Sequence, residues 1–257
     1  MHSDTLDADL ERRFGGLRRL YGDAGYARLR AARVAVVGVG GVGSWAAEAL
    51  ARSGVAALAL IDLDHVAESN VNRQVQALSR TLGQAKVLAL RERIADIHPG
   101  CEVMPVEEFV DEHNWPALLP PGIDMVIDAC DQAKAKTALA AWALAGQHAF
   151  VTVGAAGGKR HAQRVDVQDL AEVTHDPLLA SLRQRLRRTY GAARQGRIGL
   201  RCVFSREAVS SPADACASDG TLNCAGYGSS VTVTATFGLV AAGEALAQLM
   251  AGLPEPG

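Results

Sequence analysis

Five short apolar runs recur along the first 155 residues or so: RVAVVG at 33–38, ALALID at 57–62, CEVMPV at 101–106, DMVIDA at 124–129 and AFVTVG at 149–154. Stretches of helical character, near 42–53, 83–97 and 132–146, lie between them. Apolar strands joined by connections of helix length are not hairpins; they pair in parallel, with helices covering both faces of the sheet. The expectation is therefore an α/β protein with a doubly wound, Rossmann-like, mostly parallel sheet. A length of 257 residues, 49% of them hydrophobic, suffices for such a core. Past Gly158 the rhythm changes. An alternating run, AQRVDVQDL, is followed by a basic helix-like stretch, SLRQRLRRTYGAARQGR at 181–197, a strand candidate, RCVFSREAV, and a turn-rich loop over 211–230. No linker or low-complexity run sets this part off, so it reads as an elaboration of the same domain.

The first strand runs into VAVVGVGGVGSW, where Gly38, Gly40 and Gly43 satisfy G-x-G-x-x-G. The first glycine permits the tight turn, the second lets backbone approach phosphate, and the third lets the helix pack on its strand. Asp62 ends the next strand, at the usual distance for holding ribose hydroxyls. These features fit a redox dinucleotide and ATP equally. The following residues separate them: IDLDHVAESNVNRQVQ adds Asp64, Asn70 and Arg73, LGQAKVLAL brings Lys86, and IDACD carries Asp131 at the end of the fourth run. Hydride transfer has no need for an arginine and a lysine converging on phosphates. Attack on an α-phosphate builds charge on phosphoryl oxygens and departing pyrophosphate, so fixed cations and a carboxylate-held Mg²⁺ serve it. Taken singly, Arg73 and Lys86 read more readily as a solvated helix face; their joint order behind the glycine turn favours the site.

A formal charge of −2 gives no global bias toward nucleic acid. Five cysteines, at 101, 130, 202, 216 and 224, include no C-x-x-C pair, which argues against both a disulfide framework and a zinc ribbon. The start, MHSDTLDADLERRFGG, lacks the features of a signal peptide, so the cytoplasm is the expected compartment. Seven scattered histidines show no H-x-x-x-H pair. The tail VTVTATFGLVAAGEALAQLMAG is apolar enough to suggest a membrane segment, but Glu244 and its many small residues favour a helix packed on the sheet, with peripheral membrane attachment as the alternative.

The order GxGGxG, D-x-D, N-x-x-R-Q, G-x-x-K and a later aspartate resembles the ATP-dependent adenylating superfamily of ubiquitin-activating enzymes and the bacterial activators of thiamin and molybdopterin sulfur carriers. The likeness runs from Arg13 to about Gly158. It implies that Gly41 and Asp62 line the nucleotide, that Asn70, Arg73 and Lys86 contact its phosphates, and that Asp131 holds magnesium. It also implies a homodimer in which an arginine from the partner's N-terminal segment reaches ATP. That segment reads RRFGGLRRLYG here, so Arg13, Arg18 and Arg19 are all candidates. The segments VTVGAAGG, DPLLASLRQRLRR, CVFSREAV and GSSVTVTATFGLVAAGEAL extend the resemblance to the tRNA threonylcarbamoyladenosine dehydratases over nearly the whole chain. The implied division is a helical segment over 1–32, a nucleotide-binding core over 33–158 and a substrate- and tRNA-binding elaboration over 159–257. The implied reaction adenylates a threonyl carboxylate, which the neighbouring carbamoyl group then attacks. Adenylation of a ubiquitin-like sulfur carrier and nicotinamide-dependent oxidoreduction are the alternatives, and a sulfur-transfer or accessory protein is a further candidate partner.

Independently of that resemblance, Arg183, Arg185, Arg187, Arg188, Arg194, Arg197 and Arg201 concentrate positive charge in a short span suited to a phosphate backbone. The same pattern is also that of a solvated amphipathic helix with Leu182 and Leu186 inward. Cys224 lies roughly where ubiquitin-type activators keep a thioester cysteine; a self-cyclising substrate does not require one, and a structural or loop thiol is expected. The other cysteines are expected to be buried.

Overall fold

The computed structural model describes residues 9–210 and 227–253. Helix α1 (Leu10–Ala31), broken at Gly22, leads into strand β1 (Arg33–Val37). There follow α2 (Gly43–Arg52), β2 (Ala57–Ile61), α3 (Lys86–Ile97), β3 (Glu102–Val106), β4 (Met125–Asp128), α4 (Ala133–Gly146) and β5 (Phe150–Val153). Strand β6 (Val165–Asp169), α5 (Pro177–Thr189), β7 (Arg201–Ser205) and α6 (Val231–Leu249) complete the order. Seven strands form one sheet in the order β3-β2-β1-β4-β5-β7-β6, parallel throughout except for the antiparallel edge pair β6 and β7. The segment after Gly158 thus extends the same sheet, with β7 in parallel register beside β5.

Alternation along β1 shows why both faces are covered. Val34 and Val36 join a core with Leu50 of α2, Leu90 of α3 and Phe237 of α6; Ala35 and Val37 join the opposite core with Leu139 of α4 and Leu182 and Leu186 of α5. Every one of these residues is buried. The apolar C-terminal tail is accounted for here: α6 buries Val233, Phe237, Ala241, Ala245 and Leu249 against α2 and the sheet, as a core helix does.

The basic stretch is shorter as a helix than its composition suggests. Asp176 caps α5, Pro177 opens it, and it ends at Thr189; Gly191 follows with a φ of 68°, the left-handed residue that commonly stops a helix. Arg194 and Arg197 therefore stand outside it. Of the cysteines within the described residues, Cys202 is buried as expected, whereas Cys101 and Cys130 are partly exposed. Cys224, Cys216 and most of the 211–230 loop lie outside the described residues.

Candidate active site

The carboxyl ends of β1, β2, β4 and β5 open onto a cavity of about 390 Å³. Gly38, with a φ of 82°, turns the chain out of β1, and its N–H bonds to Ile61 O at 2.8 Å. A Cβ on Gly43 would overlap the Gly38 carbonyl oxygen, so only glycine lets α2 start this close to the strand. Gly43 is buried at that junction, while Gly38, Gly40 and Gly41 line the cavity. Among the described residues no side chain caps the N-terminus of α2. Its leading N–H groups and the positive end of the helix dipole form an anion site beside the glycines. Gln76, buried, supports the turn from behind by donating from Nε2 to Val39 O at 2.8 Å.

Asp62 stands at the end of β2 as expected. Its Oδ2 accepts from Val39 N at 2.8 Å and its Oδ1 from Asp64 N at 2.9 Å, which locks the carboxylate between the glycine turn and the next loop. Burial pushes the Asp62 carboxyl above its ordinary range, against the opposing pull of Lys86 and those two N–H groups. Lys86 is the first residue of α3; it is buried, and its Nζ lies 2.6 Å from Asp64 Oδ2. Arg73 runs its aliphatic stem along Gly41 and donates from Nη1 to Ser69 O and Asn72 Oδ1, at 2.7 and 2.9 Å. Asn70 is buried in the short turn before it, with Oδ1 accepting from Ala67 N. Asp64, Asn70, Arg73 and Lys86 all line the one cavity, so both cations expected from the sequence sit with the glycines.

Asp131 lines the opposite side. It is exposed and lies three residues beyond the end of β4, which closes on Asp128. Asp128, unremarked in the sequence, is wholly buried. Its Oδ2 accepts from Lys136 Nζ and Thr152 Oγ1, both at 2.7 Å, and its Oδ1 from Cys130 N at 3.2 Å and Cys130 Sγ at 2.9 Å. This network fixes the turn that carries Asp131. Burial works against the charge of Lys136 but is outweighed by Asp128, Cys130 and Asp176, so its pKa lies above the ordinary value. Burial and the Asp128 carboxylate hold the Cys130 thiol well above its ordinary pKa, which keeps it protonated and unsuited to nucleophilic attack. Among the described residues no cluster of three or more His, Cys, Asp or Glu stands ready to hold a metal. One exposed carboxylate facing an anion site fits Mg²⁺, which takes one or two carboxylates and completes its shell with phosphates and water.

Two sets of arginines lie apart from the cavity. Arg13, on α1, donates from Nη1 to Asp96 O and Ile97 O and lines a separate hollow of about 640 Å³ with Arg52, Arg80 and Arg93. Arg18 and Arg19 are exposed on the same helix, Arg18 pairing with Glu11 at 3.2 Å. In and after α5, Arg183 turns inward to Leu170 O and Val173 O, and Arg187 donates to Ala193 O. Arg185 is half-buried beside Ser181, whereas Arg188, Arg194 and Arg197 are exposed. Arg201, on β7, is bound by Glu244 through both carboxylate oxygens, which assigns it to packing of α6.

A parallel sheet with a phosphate-type turn, two cations and an acidic residue across one cleft defines a nucleotide-dependent adenylating protein, and residues 13–256 match the ThiF family, to which the chain belongs. It is 43% identical over 251 residues to the tRNA threonylcarbamoyladenosine dehydratase of Escherichia coli, covering 93% of this chain and 94% of that protein. The enzyme of the same name from Haemophilus influenzae is 39% identical over 245 residues, with the same coverage. The crystal structure of the Escherichia coli enzyme in complex with ATP superposes with a TM-score of 0.87 at 42% identity, over 95% of this chain and 96% of that one.

Proposed function

We propose that this chain catalyses the ATP-dependent dehydration of threonylcarbamoyladenosine in tRNA, next to the anticodon, by adenylating the threonyl carboxylate. The observation that carries this reading is the convergence, in one cavity, of the glycine turn and uncapped α2 N-terminus with Arg73, Lys86 and Asp131. In this scheme Asp62 accepts from ribose hydroxyls, the glycine turn seats the phosphates, and Arg73 and Lys86 neutralise charge that grows on the α-phosphate and on departing pyrophosphate. Asp131 would hold Mg²⁺, which would supply positive charge against the phosphates when bound. The threonyl carboxylate displaces pyrophosphate; the neighbouring carbamoyl group then attacks the activated carbonyl within the same molecule, and AMP leaves with one carboxylate oxygen. No enzyme nucleophile is needed, in keeping with the protonated state of Cys130.

Residues 33–158 supply the nucleotide half of this site and 159–257 the substrate half, with Arg185, Arg187, Arg188, Arg194 and Arg197 receiving tRNA. Arg183 serves that role less well, since both its contacts are to backbone oxygens of its own fold. We place the protein in the cytoplasm as a homodimer, with Arg13, Arg18 or Arg19 of one protomer reaching the other's ATP. Likeness to tRNA-modifying relatives over more than nine-tenths of the chain favours tRNA over a sulfur carrier as the acyl donor. Pyrophosphate release tests the reading when run with threonylcarbamoylated tRNA, with a sulfur-carrier protein and with neither. Release with tRNA alone supports it, and release only with the carrier overturns it. In the same preparation ATP with Mg²⁺ raises the melting temperature by mass action; stabilisation by NAD instead of ATP would point to a redox enzyme.

A further inference from the structure

Beyond the cleft lining, one buried carboxylate joins two parts of the molecule that the proposed reaction must bring together. Asp176 divides its oxygens: Oδ1 accepts from Leu179 N at 3.0 Å and caps α5, while Oδ2 accepts from Ala155 N at 2.9 Å and lies 3.4 Å from Lys159 Nζ. The side chains of Asp176 and Lys159 are wholly buried. Ala155 belongs to the turn after β5, where Gly154, Ala155, Ala156 and Gly157 form a wall of the cavity and Leu178 of α5 abuts it. Gly154 bears the imprint of the same contact, because a Cβ there would strike Asp176 Oδ2. Strand order gives this wall its place: β2 carries Asp62 at the ribose end, β1 the phosphate turn, and β4 and β5 lie beyond, on the side left for the acyl group.

We infer that Asp176 is a positioning residue that couples the arginine-bearing helix α5 to the acyl-side wall of the cleft, so that the helix meant for tRNA and the backbone meant for its threonyl group share one anchor. The inference rests on the adenylation reading for the identity of the substrate, but the coupling itself is a property of the contacts. An ordinary helix cap requires only Oδ1. The second oxygen, aimed at the wall of the cleft, is what a cap alone leaves unexplained.

Two variants separate the coupling from a purely structural ion pair. Lys159→Met removes the ammonium and leaves Asp176 bonded to Ala155 N and Leu179 N, its buried carboxylate now without a counter-charge, so turnover is compared at a temperature where melting curves show both variants folded. Adding Asp176→Asn to it keeps the α5 cap, since asparagine caps as well as aspartate, and avoids a buried unpaired ammonium. In the double variant the amide has one oxygen for two N–H donors, and keeping the cap on Leu179 N turns its nitrogen toward Ala155 N–H, where no bond can form. We expect the single variant to retain turnover and the double variant to lose it by about tenfold to a hundredfold, the scale of a misplaced reacting group. ATP affinity stays unchanged in both, and amide exchange at Ala155 accelerates only in the double variant. Gly154→Ala, which pushes the wall off an intact Asp176, reproduces the same loss if the double variant is too unstable to assay. Equal exchange at Ala155 in both variants, or ATP affinity falling in step with turnover, overturns the coupling. If the wild-type protein shows no tRNA-dependent turnover, the functional reading fails and the exchange comparison still decides the coupling.

Discussion

Replacing Lys86 by Met keeps most of the length of the side chain and removes its charge. Because Lys86 is buried beside the glycine turn and opens α3, the methionine stem fills the same channel and the helix is retained. The lost pair with Asp64 matters little to stability, since the Asp64 side chain is 53% exposed and half-solvated pairs contribute at most about 1 kcal/mol. Catalysis is different. A unit charge about 4 Å from a phosphoryl oxygen, at the effective dielectric of a protein cleft, is worth about 4 kcal/mol. Fixed donors to a developing oxyanion cost on the order of 10²–10³ in kcat when removed. A fall of that size in AMP formation is expected, with the melting curve nearly unmoved. A second consequence is separable. Lys86 opposes the upward push of burial on Asp62, so its removal raises the Asp62 pKa further. In the proposed site an ionised Asp62 would accept from ribose hydroxyls, so ATP affinity is expected to begin to fall at a higher pH in the variant than in the wild type as the solution is acidified. Calorimetric ATP titrations across pH and single-turnover AMP formation read both effects. A folded Lys86→Met protein with turnover within a few-fold of wild type, or with an unshifted acid limb, refutes the placement of Lys86 beside the nucleotide.

Gly43→Ala forces α2 away from β1, because the new methyl meets the Gly38 carbonyl oxygen; thermal stabilisation by ATP is then lost, and its retention would show that the turn does not bind phosphate. His98, buried with Nε2 2.8 Å from Arg30 Nη1, has its pKa lowered to about 4 by burial and by the nearby Arg30 and Arg13. Its folded pKa lies below its unfolded one, so the neutral ring contributes stability that is complete above about pH 6.5 and is lost as pH falls toward 4. That loss reaches about 2 kcal/mol at about pH 5. Urea midpoints at neutral pH and at about pH 5 measure it, and a His98→Leu variant that loses stability over the same interval as fully as the wild type would assign the loss elsewhere. Changing the exposed Arg188, Arg194 and Arg197 together to Gln weakens tRNA binding and flattens its dependence on log salt by up to about 0.7–0.9 for each phosphate no longer neutralised, with ATP binding untouched. An unchanged slope moves the RNA surface to another part of the molecule.

The elements legible in the sequence are those whose signal is local. Five apolar runs and the four glycines of one turn yield the parallel sheet and the glycine-lined end of the cleft, because strand, turn and helix follow one another within a short stretch of chain. Asp128, Lys136 and Thr152 were not legible. In IDACDQAKAKTALAAW the first of the two aspartates flanking Ala129 and Cys130 is indistinguishable from the second, and Lys136 is one of two lysines in an alanine-rich helix. Which of them turns inward depends on the phase of α4 over β4 and β5, a matter of tertiary packing. Asp176 and Lys159 meet for the same reason, 17 residues apart, through the crossing of α5 with the turn after β5. The arginine stretch was legible as charge but not as geometry: Gly191 ends the helix early, and backbone carbonyls engage Arg183 and Arg187.

In the proposed reaction the threonyl carboxylate itself attacks the α-phosphate of ATP in a site formed by the glycine turn, Arg73, Lys86 and Asp131. Threonylcarbamoylated tRNA carrying heavy oxygen in that carboxylate tests it directly, with the nucleotide products analysed by mass spectrometry after one turnover. Adenylation predicts cyclised tRNA lighter by one water, AMP bearing one heavy oxygen, and unlabelled pyrophosphate. Label in inorganic phosphate alongside ADP would mean attack on the γ-phosphate, and unlabelled AMP would mean that the carboxylate never reached the nucleotide; either result rules out adenylation of the threonyl carboxylate.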